Sequence, residues 1–277
     1  MDNHGWIRKE GTEPLLVREK DGVTGLLFSV LENSGMVNHA FSTRIGGVSE
    51  GNFASMNFSF TRGDNPEHVK ENYRRMAQFL NVDMQRMVLS HQTHTTNVRV
   101  VTEADTGKGV VRERDYQDVD GLVTNVPGIT LVTFYADCVP LYILDPVHRA
   151  IGLSHSGWRG TVNRMGEETL RVMNRVYGTK PSEVIVCIGP SICQDCFEVG
   201  KEVADCFEPN LSYRKENGKY QLDLWRANQN IFLNAGVLKE QIHITDICTK
   251  CNSKWLFSHR KHGENRGNLA AFLSLKE

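Results

Sequence analysis

The stretch LVTFYADCVPLYILDPVHRAIGLSHSGWRGT, Leu131 to Thr161, decides how the rest of this chain is read. Three apolar runs in and beside it, Ile129 to Tyr135, Leu141 to Leu144 and Ala150 to Leu153, are too short for helices. They are rich in β-branched and aromatic residues, so they predict three buried strands. Asp137 and Cys138 interrupt the first join, with Pro140 close behind. An acid and a thiol beside buried strands carry a desolvation cost that neighbouring groups must offset. The third run leads to His155, and Ser156-Gly157-Trp158-Arg159-Gly160 leads into a helix expected from Thr161. Glycines flanking an arginine at a helix start make an anion seat from free backbone N–H groups, the positive dipole end and a guanidinium fork. One short segment therefore supplies a thiol, an imidazole, a carboxylate and an anion clamp.

Outward from this segment, residues 15 to 31 predict a hairpin turned at Asp21-Gly22. A strand from Met36 to Ser42 follows and delivers Thr43-Arg44-Ile45-Gly46-Gly47. Gly51 to Asp64 has no helical period and reads as an ordered loop or short strands. Asn65-Pro66 opens a helix with Val69, Tyr73, Met76 and Leu80 on its core face. Met87 to Leu89 and Asn97 to Val101 read as strands, separated by Ser90-His91-Gln92-Thr93-His94. The polar stretch Glu103 to Asp118 reads as a surface excursion. Downstream, a helix is predicted over Thr161 to Tyr177, with Val162, Met165, Val172 or Met173, and Val176 inward and Gly178 as its stop. A strand at Val184 to Ile188, helices near Gly200 to Phe207 and Leu224 to Ala235, and a strand at Ile242 to Asp246 complete the reading. With no repeat and no linker, the 277 residues read as one mixed α/β domain, residues 1–14 forming an N-terminal extension.

Composition narrows the function classes. Apolar content of 40%, charged content of 23% and a net charge of −1 describe a soluble globular protein without a nucleic-acid or membrane surface. The N-terminus has no apolar signal region, and seven cysteines argue for reduced thiols or metal ligands, so a cytoplasmic location is expected. There is no Walker loop, no H-E-x-x-H and no dinucleotide fingerprint. Cys193-Gln194-Asp195-Cys196 and Cys248-Thr249-Lys250-Cys251 offer four thiols for a structural zinc. The long gap between the pairs and the missing knuckle glycine favour buried free thiols. His94, Cys138 and His155 each fall at or just beyond a strand end. Two imidazoles and a thiolate make a three-ligand zinc set with a fourth position open. On spacing alone, three unrelated polar residues at strand ends explain the pattern better than a metal site, since no short motif fixes the set.

The run TRIGGVSEGNFASMNFSFTRGDNPEHV, then HQTH, ADCVPLYILDP, HSGWRGT, IGPSIC, CFEVG and FSHR, in this order, resembles the YfiH-like family across about residues 25–274. Its members were once labelled laccase-domain polyphenol oxidases and are now regarded as purine nucleoside phosphorylases. The resemblance implies a single layered domain of mixed β-sheets flanked by helices, related in architecture to toxin cysteine hydrolases. It implies zinc, or less readily copper, on His94, Cys138 and His155. It also implies phosphorolysis of adenosine, inosine and S-methyl-5′-thioadenosine, with adenosine deamination as a second activity. The expected partners are small molecules, a purine nucleoside and phosphate; the oligomeric state is left open.

Arg44 and Arg159 match family arginines suited to phosphate or ribose. We expect Arg159 to hold the anion and Asp137 to assist the departing purine. Phe197 and His259 replace tyrosines common in the family. Asn265-Arg266-Gly267-Asn268 replaces a T-G-R element, so Arg266 stays outside the expected catalytic set. The rival readings are a thiol hydrolase with Cys138 as nucleophile and His155 as base, a copper-dependent polyphenol oxidase, and a non-catalytic nucleoside binder.

Overall fold

The computed structural model describes residues 5–12 and 14–277. The three strands of the deciding stretch form as Thr130–Tyr135, Val139–Asp145 and Ala150–Ser156. The last two pair in one sheet and the first lies in another. One six-stranded sheet runs, in spatial order, Leu16–Lys20, Val23–Leu27, Val37–Ser42, Leu269–Leu275, Thr130–Tyr135 and Met87–Leu89. The other runs Ile242–Ile244, Ile185–Ile188, Val139–Asp145, Ala150–Ser156, Gly121–Thr124 and Val98–Val100. Both sheets mix parallel and antiparallel pairs, so the fold is mixed α/β. The chain crosses from the first sheet to the second at Ala136-Asp137-Cys138.

The sheets pack face to face, and side-chain alternation divides each strand between two cores. Leu131 and Tyr135 meet Tyr142, Leu144, Ile151 and Leu153 between the sheets. Leu141 and Ile143 face the opposite way, into a core with Met173, Leu170 and Phe232. Val132 and Phe272 face the helix Pro66–Leu80 through Tyr73 and Met76. Strands covered on both faces read as continuous apolar runs, which is why they were legible. Two tyrosines cross the seam as hydrogen-bond donors. Tyr142 donates to Ala40 O (3.1 Å) and Tyr135 to Ser154 O (3.1 Å), so each buried hydroxyl has a partner.

Helix Pro66–Leu80 starts as expected: Asn65 Oδ1 accepts from Glu67 N (3.0 Å), and Val69, Tyr73, Met76 and Leu80 are buried. The helix predicted over Thr161–Tyr177 is instead two, Trp158–Val162 and Met165–Tyr177, broken at Arg164 with φ 60°. The first piece is tied to the strand end by a buried polar knot. Thr161 Oγ1 donates to Gly157 O (3.0 Å) and accepts from Asn228 Nδ2 (3.2 Å), and Ser156 Oγ donates to Asn228 Oδ1 (3.1 Å). The second piece must lie flat on the sheet, so the chain turns between them. That turn carries Val162 outward, and Val176 also faces solvent, contrary to the expected inward face. The helix expected over Gly200–Phe207 shrinks to Lys201–Ala204.

Of the expected extension, residues 1–4 and 13 lie outside the described residues. Trp6 is buried beside Trp255, and Ile7 N donates to Asn252 Oδ1 (2.8 Å). The excursion Glu103–Asp118 is not merely a surface loop. Lys108 and Asp105 form a buried ion pair at 2.8 Å inside it. No helix among the described residues is long and apolar enough to cross a membrane.

The predicted hairpin forms with Asp21 at φ 51° and Gly22 at φ 78°, but its second strand stops at Leu27 and Ser29–Asn33 is a short helix. The stop has a cause: Phe28 N donates to the ring of His39 at Nε2 (2.9 Å) instead of to a strand. His39 is fully buried, and burial, with the charges of Arg18 and Lys276, holds its pKa down at about 3 against an ordinary 6.5. Protonating Nε2 would also set two donors against each other. A depressed histidine contributes stability that is complete above pH 6.5 and is lost as the pH falls toward 3, because the unfolded chain binds the proton first. The slope approaches about 1.4 kcal/mol per pH unit. Urea unfolding at pH 7 and pH 5 should therefore show a stability loss that shrinks by about 2 kcal/mol in His39→Gln. An equal loss in both proteins would mean that His39 is not held neutral.

Candidate active site

The seam between the sheets opens into a cavity of about 1270 Å³. His94, Cys138 and His155 lie together on its wall, their ligand-capable atoms within 4.8 Å of one another. Cys138 Sγ is 4.0 Å from His94 Nε2, and the two imidazoles meet edge-on at 5.0 Å between centroids. Each residue arrives by a different route. His94 sits in the turn between Met87–Leu89 and Val98–Val100, Cys138 in the crossover turn, and His155 within Ala150–Ser156.

One carboxylate organises the group, and sequence reasoning overlooked it. Asp120, fully buried before Gly121–Thr124, accepts from His155 Nδ1 (2.8 Å) and from the backbone N–H groups of Thr93 (2.9 Å), His94 (3.1 Å) and Thr95 (3.1 Å). Burial pushes its carboxyl up, but the bonds from His155, Thr93 and Thr95 more than reverse this and keep it ionised. With Nδ1–H donated to Asp120, the other ring nitrogen of His155 is left to face a ligand, the arrangement by which carboxylates orient metal-binding histidines. His94 adopts φ 64°, a left-handed conformation held by the same carboxylate through its N–H.

The electrostatics favour a thiolate. Burial pushes the Cys138 thiol up, but His155 and His94 outweigh it and bring it down to about 6. Burial lowers His155, yet Cys138 and Asp120 raise it to about 9. The metal-free group is thus a thiolate–imidazolium pair, and a cation entering it would displace the proton. The donor chemistry fits a metal: two imidazoles and a low-pKa thiol converge, with one imidazole oriented by a carboxylate. Gly157 completes the fit. A Cβ there would stand 2.9 Å from His94 Cδ2 and 3.0 Å from Cys138 Sγ.

Other expected residues take different parts. Asp137, at φ 102°, is a strained non-glycine turn residue. Both its oxygens are engaged, by Thr249 Oγ1 (2.6 Å) and Arg260 N (2.7 Å), and it does not line the cavity. It shapes the turn that presents Cys138 and is not placed to protonate a purine. Arg159 also lies off the cavity, exposed, with its guanidinium 4.3 Å over the Trp158 ring. Stacked there, the fork expected to seat an anion stands outside the lining of the cavity that holds His94, Cys138 and His155. Arg44 donates from Nε to Ala54 O (2.7 Å) and covers the Phe257 ring at 4.6 Å, bracing loops outside the lining.

The cavity's buried cation is Arg266, set aside in the sequence reading. It is 6% exposed, donates to Gly267 O (3.0 Å) and Asn268 Oδ1, and leaves Nε without a partner. Burial, with the nearby charge of Arg62, lowers its pKa to about 10. No carboxylate pairs with it among the described residues, so an anion entering the cavity meets a desolvated guanidinium. Arg62 and Arg114 line the same space, as do Phe58, Tyr116, Phe134 and Tyr135.

Residues 38–276 match the family model described as multi-copper polyphenol oxidoreductase laccase. The chain is 37% identical over 250 residues to a purine nucleoside phosphorylase of Bacteroides thetaiotaomicron, spanning 87% of this chain and 93% of the relative. It is 35% identical over 237 residues to adenosine deaminase RL5 of an unknown prokaryotic organism, spanning 82% of this chain and 90% of that protein. Among solved structures, Bacillus licheniformis hypothetical protein YfiH superposes with a TM-score of 0.88 at 30% identity, covering 94% of this chain and 99% of that one.

Two substitutions test the geometry. Asp120→Asn should weaken metal retention by about 10- to 100-fold, measured by competition with a chelating dye. Gly157→Ala should force His94 and Cys138 apart and lower retention too, while thermal unfolding shifts little. Unaltered metal affinity in both variants would show that Asp120 and Gly157 do not organise the group.

Proposed function

Since the chain belongs to the YfiH-like family, whose model is described as multi-copper polyphenol oxidoreductase laccase, we propose that it is a zinc-dependent purine nucleoside phosphorylase. Its substrates on this reading are adenosine, inosine and S-methyl-5′-thioadenosine, each split to the base and a pentose 1-phosphate. Adenosine deamination is the second activity, in keeping with the relative named adenosine deaminase. The observation that carries the proposal is the meeting of a nitrogen–sulfur donor set and an unpaired buried guanidinium in one aromatic-walled cavity.

Phosphorolysis replaces the C1′–N bond of the nucleoside with a C1′–O bond to phosphate, and the purine leaves with the bonding electrons. The transition state is cationic at the sugar and electron-rich at the base. Arg266, aided by Arg62, binds and orients the phosphate. Low-dielectric surroundings strengthen that contact. Tyr116 and Phe134, half-buried on the cavity wall, offer flat apolar surface to the purine. Asp120 keeps His155 in one tautomer and orientation. Zinc, held by His94, Cys138 and His155, would supply Lewis acidity when bound.

A second reading rests on the depressed Cys138 thiol beside two imidazoles: a thiol hydrolase with Cys138 as nucleophile. Incubating the protein with adenosine, with and without phosphate, separates these. The phosphorylase reading expects free base (adenine plus the hypoxanthine that follows deamination) and ribose 1-phosphate in equal amounts, only with phosphate present, and loss of both after chelation. Turnover by fully demetallated protein, with an adduct on Cys138, would replace it with the hydrolase reading.

The arginines give a sharper prediction. Losing a charged hydrogen-bond partner commonly costs about 1.5–3 kcal/mol, or about 10- to 150-fold. Arg266→Ala should slow ribose 1-phosphate release at limiting phosphate by that factor and slow deamination much less. Arg159→Ala should leave the phosphate dependence as it is. If Arg159→Ala raises the phosphate requirement and Arg266→Ala does not, the anion seat lies at the short helix after all.

A further inference from the structure

The two C-x-x-C pairs are separated by a long stretch of chain, yet topology brings them together. Ile185–Ile188 and Ile242–Ile244 are adjacent and parallel, so their C-terminal ends leave the sheet side by side. Cys193 follows one end and Cys248 the other. The loops are then stitched: Thr245 N donates to Ile188 O (2.9 Å), Thr249 N to Ser191 O (3.1 Å), and Ser191 and Cys248 form a parallel bridge. The four sulfurs of Cys193, Cys196, Cys248 and Cys251 all lie within 4.8 Å of one another. The expectation of unrelated buried thiols does not anticipate that convergence.

We infer that Cys193, Cys196, Cys248 and Cys251 hold one zinc ion in a closed four-thiolate site. Zinc–sulfur bonds of about 2.3 Å in a tetrahedron put sulfurs about 3.8 Å apart. Cys196 and Cys251 already stand 3.5 Å apart. Cys193 N–H donates to Cys248 Sγ (3.3 Å), a bond that favours a charged sulfur. Cys193 and Cys248 are buried, and all donors are sulfur, so the set leaves no open position for water. Such closure marks a structural ion. Its place in the fold gives it a task. Thr249, inside the second pair, donates to Asp137, and Ile192 N, before the first, donates to Asp137 O (3.0 Å). Clamping both loops therefore fixes the strained turn that presents Cys138.

The test separates this ion from any at the catalytic group. Full-length protein purified without added metal should carry close to two zinc ions per chain by plasma mass spectrometry. His94→Ala/His155→Ala should keep one, and its zinc-edge X-ray absorption should show four sulfurs at about 2.3 Å with no nitrogen shell. Cys196→Ser/Cys251→Ser should lose one zinc and melt at a lower temperature. Should that variant not fold, the histidine variant alone decides. Zinc absent from it, iron in its place, a mixed nitrogen–sulfur shell, or disulfides found by mass in the unreduced protein would each overturn the proposal. None of those results bears on whether zinc occupies His94, Cys138 and His155.

Discussion

The carboxylate of Asp120 is the constraint on which the site depends. It sits at the mouth of a buried strand, where an ion without partners would be very costly. Its partners are the donors that the chemistry needs held still: three consecutive N–H groups around His94, and the ring of His155. The cost of burying one charge is thereby offset by bonds that fix two functional residues at once. Cys138 is set from the other side, by a turn whose strained residue is anchored through Asp137. The cavity wall is therefore the meeting of two independently braced loops across a sheet–sheet seam.

How far this was legible in the sequence depends on how local the cause was. Val139–Asp145 and Thr130–Tyr135 announced themselves because both faces of each strand are covered, leaving an unbroken apolar run. The cap at Asn65 and the turn at Asp21-Gly22 are decided by neighbouring residues. The division of those strands between two sheets was not legible, since a strand's sequence records that it is covered and not by what. The stop at Leu27 likewise depends on His39, distant in sequence and adjacent only in the fold.

At the site, convergence of His94, Cys138 and His155 was anticipated from strand ends and from resemblance. Asp120 was missed because a single acid before a glycine has no motif, and its four principal donors arrive from two other segments. Arg159 misled for the opposite reason. Its local pattern is a fair sign of an anion seat, but the fold leaves that arginine exposed and outside the cavity lining. The cysteine pairs were underrated because chain separation says nothing about parallel strands. Once Ile185–Ile188 and Ile242–Ile244 are neighbours, the distance along the chain between their loops ceases to matter.

The excursion Glu103–Asp118 supplies one wall of the cavity through Arg112, Arg114 and Tyr116. Its internal tie, Lys108 with Asp105 and Asp115, lies wholly within it. The two sheets, Asp120 and the cysteine loops are built without that tie. The segment is also bonded to the frame at both ends, Lys108 O and Gly107 N to the strand Met87–Leu89 and Asp118 to Thr93 and Asn97 on either side of His94, so the wall that shapes the admitted molecule and the turn that carries a site histidine move as one piece.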